Sequence, residues 1–469
     1  MQSTTFIDLS RWQFATTAAF HMTFPALSVG LAIFVAVLYG AYYKTGNPLY
    51  LQMFRFWRGI FAIGFALGIV SGIVLTFELG LNWGNYARAV GPILGPMIVM
   101  EALMAFFLEA GFFGILVWGE GRVSKRVTMI SACMVALGAL LSTAWILDAN
   151  SWMQTPAGYR EVNGQFQPTN WYDAIFNPAF NWRFPHMVLA VLISAAWFIA
   201  AIGAYYLLRR RALPLARKTM SMALVAAAIL LPIQLCVGDD MASYMTLNYQ
   251  PDKLIAAEGN FNNGNTGWNW FAIPDQAQQR NYVQLSIPYA ESVFDFHNFS
   301  GDESTPGLKT IPQSLQPTVA PVFWGFHIMI YGAWGMFIVA FIGLIMRLRR
   351  RLYTEPWFLR LVLWMLPVGV IATIAGWVTS ESGRQPWIVY GKLLVNQSAS
   401  SLSIGELIAS LAAFWIVYLI LVTAWIRQVV REVRRGPDPL PGQEGTRAAA
   451  PGASGTPAPA NLPATPVEA

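Results

Sequence analysis

Residues 184–211 read FPHMVLAVLISAAWFIAAIGAYYLLRRR. From Phe184 to Leu208 there is no Asp, Glu, Lys or Arg and a single histidine, His186, and the run stops at Arg209, Arg210 and Arg211. A stretch this long matches the roughly 20 residues a helix needs to cross a hydrocarbon core, which a buried core helix seldom reaches. Similar runs stand at 16–43, 54–79, 95–118, 127–148, 218–238, 319–346, 357–380 and 403–426. The expected fold class is therefore all-α: a polytopic membrane helical bundle of about nine transmembrane helices. Composition agrees, since hydrophobic residues make up 55% of the chain and charged ones 12%, more apolar surface than a soluble chain could hide.

The cationic residues orient the bundle. Lys44, Arg55 and Arg58 lie around the first connection, and Arg122, Lys125 and Arg126 between runs three and four. Arg209–Arg211, Arg217 and Lys218 follow run five, Arg347 and Arg349–Arg351 run seven, and Arg427, Arg431, Arg434 and Arg435 run nine. Every second connection is basic, which by the positive-inside rule sets the N-terminus in the periplasm and the C-terminus in the cytoplasm. The net charge of +6 is thus a topology signal, and no basic patch with interleaved aromatics suggests nucleic acid. Four regions are expected: 1–238 with six helices, a periplasmic loop over 239–318, three more helices within 319–435, and a Pro/Ala/Gly-biased disordered tail at 436–469. The N-terminus MQSTTFIDLSRWQF lacks the charged start and short apolar core of a cleavable signal, so residue 1 is expected to stay. Cys133 and Cys236 are the only cysteines; they read as small core residues and exclude a disulfide framework, covalent haem c and a CxxC metal site.

Ionisable groups inside membrane helices are costly and are functional candidates by default. With this topology His21, Glu101, His186, Met329 and Glu381 are all expected at one depth, toward the outer face. Imidazole, thioether and carboxylate are side chains that haem iron accepts, and a band of them beneath a polar loop suggests stacked haems. The alternative for each alone is a helix-end residue meeting interfacial water. His297 reads as a solvated loop residue. His327 lies two residues before Met329 and so points to nearly the opposite face of its helix; one of the two faces a haem. Only three histidines lie in apolar runs, each in a different one, too few for a haem-copper oxidase or for the paired-histidine haems of a bc-type cytochrome b. Glu109 follows Glu101 at about 80° around an ideal helix, so both can line one polar path, extended by Ser142. The alternatives are a protonated, hydrogen-bonded Glu109 and a packing serine.

Several stretches carry a family resemblance. GWVTSESGRQPW (376–387) resembles the GRQPW motif of cytochrome bd ubiquinol oxidase subunit I. RWQFATTAAFHMTFPALSVGLA resembles that family's first helix, LNWGNYA with EALMAFFLEAGFFG its second loop and third helix, and WILDANSWMQTP the end of its fourth. GDDMASYMTLNYQPDKLIAAEG resembles its quinol loop and FWGFHIM its seventh helix. The likeness runs in order from about residue 8 to 430.

The resemblance implies a bacterial inner-membrane oxidase that takes electrons from ubiquinol or menaquinol on the periplasmic side and reduces O2 to water, building proton-motive force without pumping. His186 and Met329 match the axial ligands of haem b558. His21, with Glu101 beside it, and Glu381 match the ligands of two high-spin haems, b595 and haem d or a third haem b in its place. Arg384 matches a propionate partner, Trp377 a packing residue between haems, Glu109 and Ser142 a proton path, and Lys253 and Glu258 the quinol-binding pair. A second large subunit and often a single-helix one are implied. Two features depart from the family: His327 stands where arginine is common, and the loop lacks the long insertion of the enterobacterial type, as in forms called cyanide-insensitive. Asp148, at the outer end of run four, is expected to cap its helix rather than carry protons. A transporter could use the same buried carboxylates without haem, and a quinol–cytochrome carrier would bind haem without consuming O2.

Overall fold

A computed structural model describes residues 4–264, 266–400 and 402–439; the expected tail lies, beyond residue 439, outside the described residues. Among the described residues nine helices are long and apolar enough to span a membrane: Thr5–Thr45, Pro48–Leu81, Gly84–Trp118, Lys125–Gln154, Pro178–Leu208, Leu213–Tyr249, Val319–Leu348, Pro356–Ser382 and Ile404–Arg435. They are called here the first to ninth spans. Most outrun the apolar stretches that announced them, because their polar ends remain helical.

Local signals set the starts. Asn47 accepts a hydrogen bond from the Leu49 amide at 2.9 Å, with Pro48 in the first turn. Asn177 does the same for Phe180 at 3.1 Å, ahead of Pro178. Ser403 and Glu406 form a reciprocal capping box for the ninth span. Each supplies partners for amides that the first helical turn leaves free.

Four spans are irregular. The first breaks between Thr23 and Pro25, since proline cannot donate a backbone hydrogen bond, and the break falls just after His21. The third contains a π-helical turn over Glu101–Phe106, and the sixth one over Met241–Thr246. The eighth is interrupted between Trp364 and Val368, at Pro367. Such turns are frequent at functional sites.

The fifth span is enclosed by its neighbours, with Trp197 and Tyr206 fully buried, whereas the third and ninth are largely uncovered. The fifth packs along the sixth, and the seventh along the eighth. That last contact is close: a Cβ on Gly325 would come within 2.7 Å of Thr379 Oγ1 and 2.9 Å of the Ala375 carbonyl.

The long connections gather at one end of the bundle, here the loop end. They hold three small antiparallel hairpins, β1 (Tyr159–Val162) with β2 (Gln165–Pro168), β3 (Trp268–Asp275) with β4 (Arg280–Ile287), and β5 (Trp387–Val389) with β6 (Leu393–Leu394), an addition to the all-helical expectation. The sixth-to-seventh connection also carries the short helices Pro251–Glu258 and Ala290–Phe296. Polar contacts lock these pieces together. The Tyr390 hydroxyl donates to Asp252 Oδ1 at 2.6 Å, the Tyr390 amide to the Met153 carbonyl at 2.9 Å, and Arg11 to Gln385 at 3.0 Å.

Gly325→Val is expected to push the seventh and eighth spans apart at a cost of about 1–3 kcal/mol. A melting curve of the detergent-purified protein should show a lower Tm; an unchanged Tm would contradict the close packing.

Candidate functional site

Glu381 ends the eighth span and is the most densely contacted carboxylate at the loop end. Its Oε1 accepts from Asn150 at 3.1 Å and from Gln154 at 3.2 Å, with Arg183 Nη2 at 3.9 Å; its Oε2 accepts from Arg384 Nη2 at 2.6 Å. The fourth, fifth and eighth spans and the GRQPW turn meet on one anion. Arg183 also lies over the Trp377 ring, 5.9 Å from its centroid.

Lys253, on the helix Pro251–Glu258, joins the same cluster. Its ammonium nitrogen donates to Gln154 Oε1 and Gln250 Oε1, each at 2.5 Å. Gln154 therefore bridges Lys253 to Glu381 through the two ends of one amide. The Lys253 stem crosses Gly383, where a Cβ would come within 2.6 Å of Lys253 Cγ. Burial, and then the nearby Arg183, push the Lys253 ammonium pKa well below its usual value, against the pull of Glu381. Beside Gln154 an open cleft of about 270 Å³ is lined by Gln154, Pro156, Pro178, Tyr249 and Tyr390.

The histidines sort by their hydrogen bonds. Ser71 Oγ donates to the Leu67 carbonyl at 2.8 Å and lies 2.9 Å from His21 Nδ1. With the hydroxyl proton so committed, Nδ1–H of His21 is the donor to Ser71, which leaves Nε2 a free lone pair, the tautomer a metal ligand needs. His327 is the opposite case. It is fully buried, with Nδ1 2.8 Å from the Phe323 carbonyl and Nε2 2.8 Å from the Asn269 carbonyl, and it stacks on Phe323 and Trp268. Both ring nitrogens are covered by backbone carbonyl oxygens, so neither is open to a metal. Of the neighbours His327 and Met329, only the thioether is free to ligate.

Three candidate ligands face glycines. A Cβ on Gly72 would come within 3.2 Å of the His21 ring, on Gly238 within 3.3 Å of the His186 ring, and on Gly376 within 2.8 Å of Met329 Sδ. Gln234, which sequence reasoning missed, places its amide nitrogen 3.2 Å from His186 Nε2.

Ser142 Oγ donates to Glu101 Oε1 at 2.7 Å, and Glu109 is buried further along the third span. The π turn between the two carboxyls removes the 80° relation computed for a uniform helix. Asp148 does not cap: its helix continues to Gln154, and among the described residues neither carboxylate oxygen has a hydrogen-bond donor. His297 is part-exposed and paired with Asp239 at 2.8 Å.

The candidates do not share one depth. Glu101 is held by Ser142 and Glu381 by Asn150, two turns apart on the fourth span, or about 12 Å along its axis. Placing residues by their position within apolar runs assumed that every run begins in one plane, and the helices start at different heights. Lys253 and Glu258 are also apart. Five residues on one helix separate them by about 140°, and Glu258 faces Asn260, Glu291 and Asp295 instead.

Haem fits these residues on two observations. Arg384 Nε and Nη1, Arg183 Nη1 and Arg11 Nε are buried and face no acceptor among the described residues, a surplus of guanidinium donors suited to carboxylate groups such as propionates. The Nε2 of His21 and the thioether of Met329 are donor atoms that haem iron accepts. Arg183 and Gln154 had a visible cue, a cation and an amide at the weakly basic end of the bundle; Gln234, Asn150 and Tyr390 had none.

The profile of the family described as Cytochrome bd terminal oxidase subunit I matches residues 9–437. The chain is 34% identical over 446 residues to the cytochrome bd ubiquinol oxidase subunit 1 of Bacillus subtilis (strain 168), covering 91% of this chain and 93% of that one. It is 33% identical to the cytochrome bd-II ubiquinol oxidase subunit 1 of Escherichia coli (strain K12), covering 94% and 99%. Its fold is similar to that of the bd oxidase from Geobacillus thermodenitrificans, with a TM-score of 0.86, 27% identity, and coverage of 93% and 100%.

Gln154→Leu removes the amide between Lys253 and Glu381 and is expected to cost about 1–3 kcal/mol. Denaturation of the purified protein should show that loss; wild-type stability would mean the bridge carries no weight.

Proposed function

The chain belongs to the cytochrome bd terminal oxidase subunit I family, and from that membership we propose how its own residues oxidise quinol and serve the reduction of oxygen. As a member it is a haem-carrying subunit of a quinol:O2 oxidoreductase, multi-pass in the bacterial cytoplasmic membrane. This class separates it from transporters and from carriers that do not consume O2.

The loop end, with the N-terminus, faces the periplasm, and the basic end, with the C-terminus, the cytoplasm. Residues 239–318 form the quinol-binding loop, and the helices of 1–238 and 319–435 hold the haems. Ubiquinol or menaquinol enters the cleft beside Tyr249 and Tyr390, with one oxygen toward Lys253. Two positions on the Lys253 nitrogen are held by Gln154 and Gln250, which leaves one for the substrate. Glu258, on the far side of the same helix, takes up protons as quinol is oxidised.

His186 and Met329 hold the low-spin haem b558. His21, with Glu101 beside it, and Glu381 hold the two high-spin haems, b595 and d or a third haem b. When bound, haem supplies one-electron transfer and an iron position at which O2 is reduced. Arg384 and Arg183 bind propionates, and Trp377 packs beneath Arg183 among the haems. Glu101, Ser142 and Glu109 hold and pass protons from the cytoplasmic end. Electrons and protons arriving from opposite sides separate charge without a pump. The largely uncovered third and ninth spans are where a second large subunit, and a single-helix one, would dock.

The observation that carries this reading is the chain Lys253–Gln154–Glu381–Arg384, which links a cleft in the loop to a haem-ligand candidate through hydrogen bonds of 2.5, 3.2 and 2.6 Å. Two variants test the assignments. Met329→Leu should abolish the low-spin haem spectrum while the high-spin signals remain, and His327→Leu should keep that spectrum; the reverse pattern would transfer the ligand to His327. Glu258→Ala should slow quinol oxidation by about 10²–10⁴-fold and spare oxidation of an artificial donor that bypasses the loop. Equal loss with both donors would place Glu258 outside the quinol step.

A further inference from the structure

Glu258 lies in a buried group of three carboxylates. Glu258, Glu291 and Asp295 each place an oxygen within 4.8 Å of the others, and they are 0%, 0% and 4% exposed. Their partners differ. Glu291 accepts from the Thr305 amide at 2.7 Å, from Thr305 Oγ1 at 2.6 Å and from Asn260 Nδ2 at 3.0 Å. Donors thus engage both its oxygens, as an anion requires. Glu258 Oε2 receives Asn260 at 3.1 Å. Glu258 Oε1 and Asp295 Oδ2 are buried and meet no donor among the described residues. The two carboxyls lie against each other within the group, a contact that is favourable only when a proton lies between them.

A metal ion accounts for this less well. Ca²⁺ takes six to eight oxygens, and here two carboxylate oxygens remain uncommitted while the Asn260 amide directs its N–H groups at Glu258 and Glu291.

Asp295 lies in electrostatic range of Asp239 and His297, which form a part-exposed pair at 2.8 Å, with Ser243 Oγ 3.4 Å from His297 Nε2. The charged groups that reach Asp295 are Glu258 on the helix Pro251–Glu258, Glu291 on its own helix, Asp239 on the sixth span and His297 just beyond.

We propose that Glu258 and Asp295 share one proton as an acid–carboxylate pair braced by Glu291, and that Asp295 relays quinol protons from Glu258 to the surface pair His297–Asp239. The proposal rests on the reading of Glu258 as the quinol-side acceptor. In each step an O–H bond of quinol breaks, its proton moves to the carboxylate of the pair, and the accompanying electron leaves by the haem route. The pair then holds two protons, and Asp295 passes one to His297 or Asp239 and on to water, which restores the singly protonated pair. Two such steps discharge both protons and both electrons of one quinol. The electrostatics are poised for this. Burial, and then Asp295 and Glu291, hold the Glu258 carboxyl well above the ordinary range, and burial lifts Asp295 to about 7. As pH falls through that value the pair fills and cannot accept, so quinol oxidation should slow on the acid side.

The test uses the purified oxidase complex carrying Asp295→Asn, with the haem spectrum and artificial-donor oxidation as controls for folding. Asp295 is a positioning and relay residue, so the expected signature is specific. Quinol-driven O2 uptake at neutral pH should fall on the order of ten-fold with KM for quinol unchanged, and the acid limb near pH 7 should disappear. His297→Gln should give a weaker loss of the same kind. Wild-type turnover and pH profile in Asp295→Asn, with Glu258→Ala impaired, would overturn the relay alone; an unimpaired Glu258→Ala would overturn the underlying site. Loss of wild-type activity with a chelator and its return with Ca²⁺ would replace the shared proton with a bound cation.

Discussion

Arg183 and Arg384 directly, and Lys253 through Gln154, converge on the single carboxylate of Glu381 in a place where water is scarce. Removing a charge from water costs several kcal/mol per ion even after relaxation, and that cost is met only when partners are close and fully hydrogen-bonded. Two guanidinium groups on one carboxylate leave an excess of positive charge and several N–H groups facing no acceptor among the described residues. The arrangement is complete when further anions arrive, and haem propionates are anions of the right shape. The same demand for partners fixes the architecture: Asn150 and Gln154 bring the fourth span, Arg183 the fifth, Arg384 the turn after the eighth, and Lys253 the loop. Loop and membrane bundle are joined through this cluster.

The candidate ligands sit where regular helix packing gives way. His21 precedes the break before Pro25, Glu101 opens a π turn, and Glu381 stands at a helix end. Glycines rather than larger residues lie opposite His21, His186 and Met329. The glycines let these side chains pack close against the facing helix, and the breaks interrupt the regular hydrogen-bond ladder. Hydrogen bonding then settles identity, as the contrast between His21, with one free nitrogen, and His327, with none, makes plain.

Much of this was legible in the residues and some was not. Apolar length alone reveals nine spans, because the bilayer imposes it on each helix separately. The GRQPW stretch, His186 and Met329 could be singled out by type or motif, and Lys253 by the family resemblance alone. Relative height could not, since it depends on where each helix starts, and so Glu101 and Glu381 proved to be held by partners two turns apart on the fourth span. Asp148 was misread because a run that looks finished at 148 continues as helix to Gln154. Glu291 and Asp295 carry no signal at all in a polar loop; only folding places them against Glu258. Arg183 was visible but lay outside the tally of basic connections.

The most direct test is a high-resolution density map of the purified, haem-replete oxidase. The account expects haem carboxylates within hydrogen-bond distance of Arg384 Nε or Nη1 and Arg183 Nη1, with iron bound by His186 and Met329. Those guanidinium nitrogens occupied only by water or protein, with the haems seated elsewhere, would contradict it.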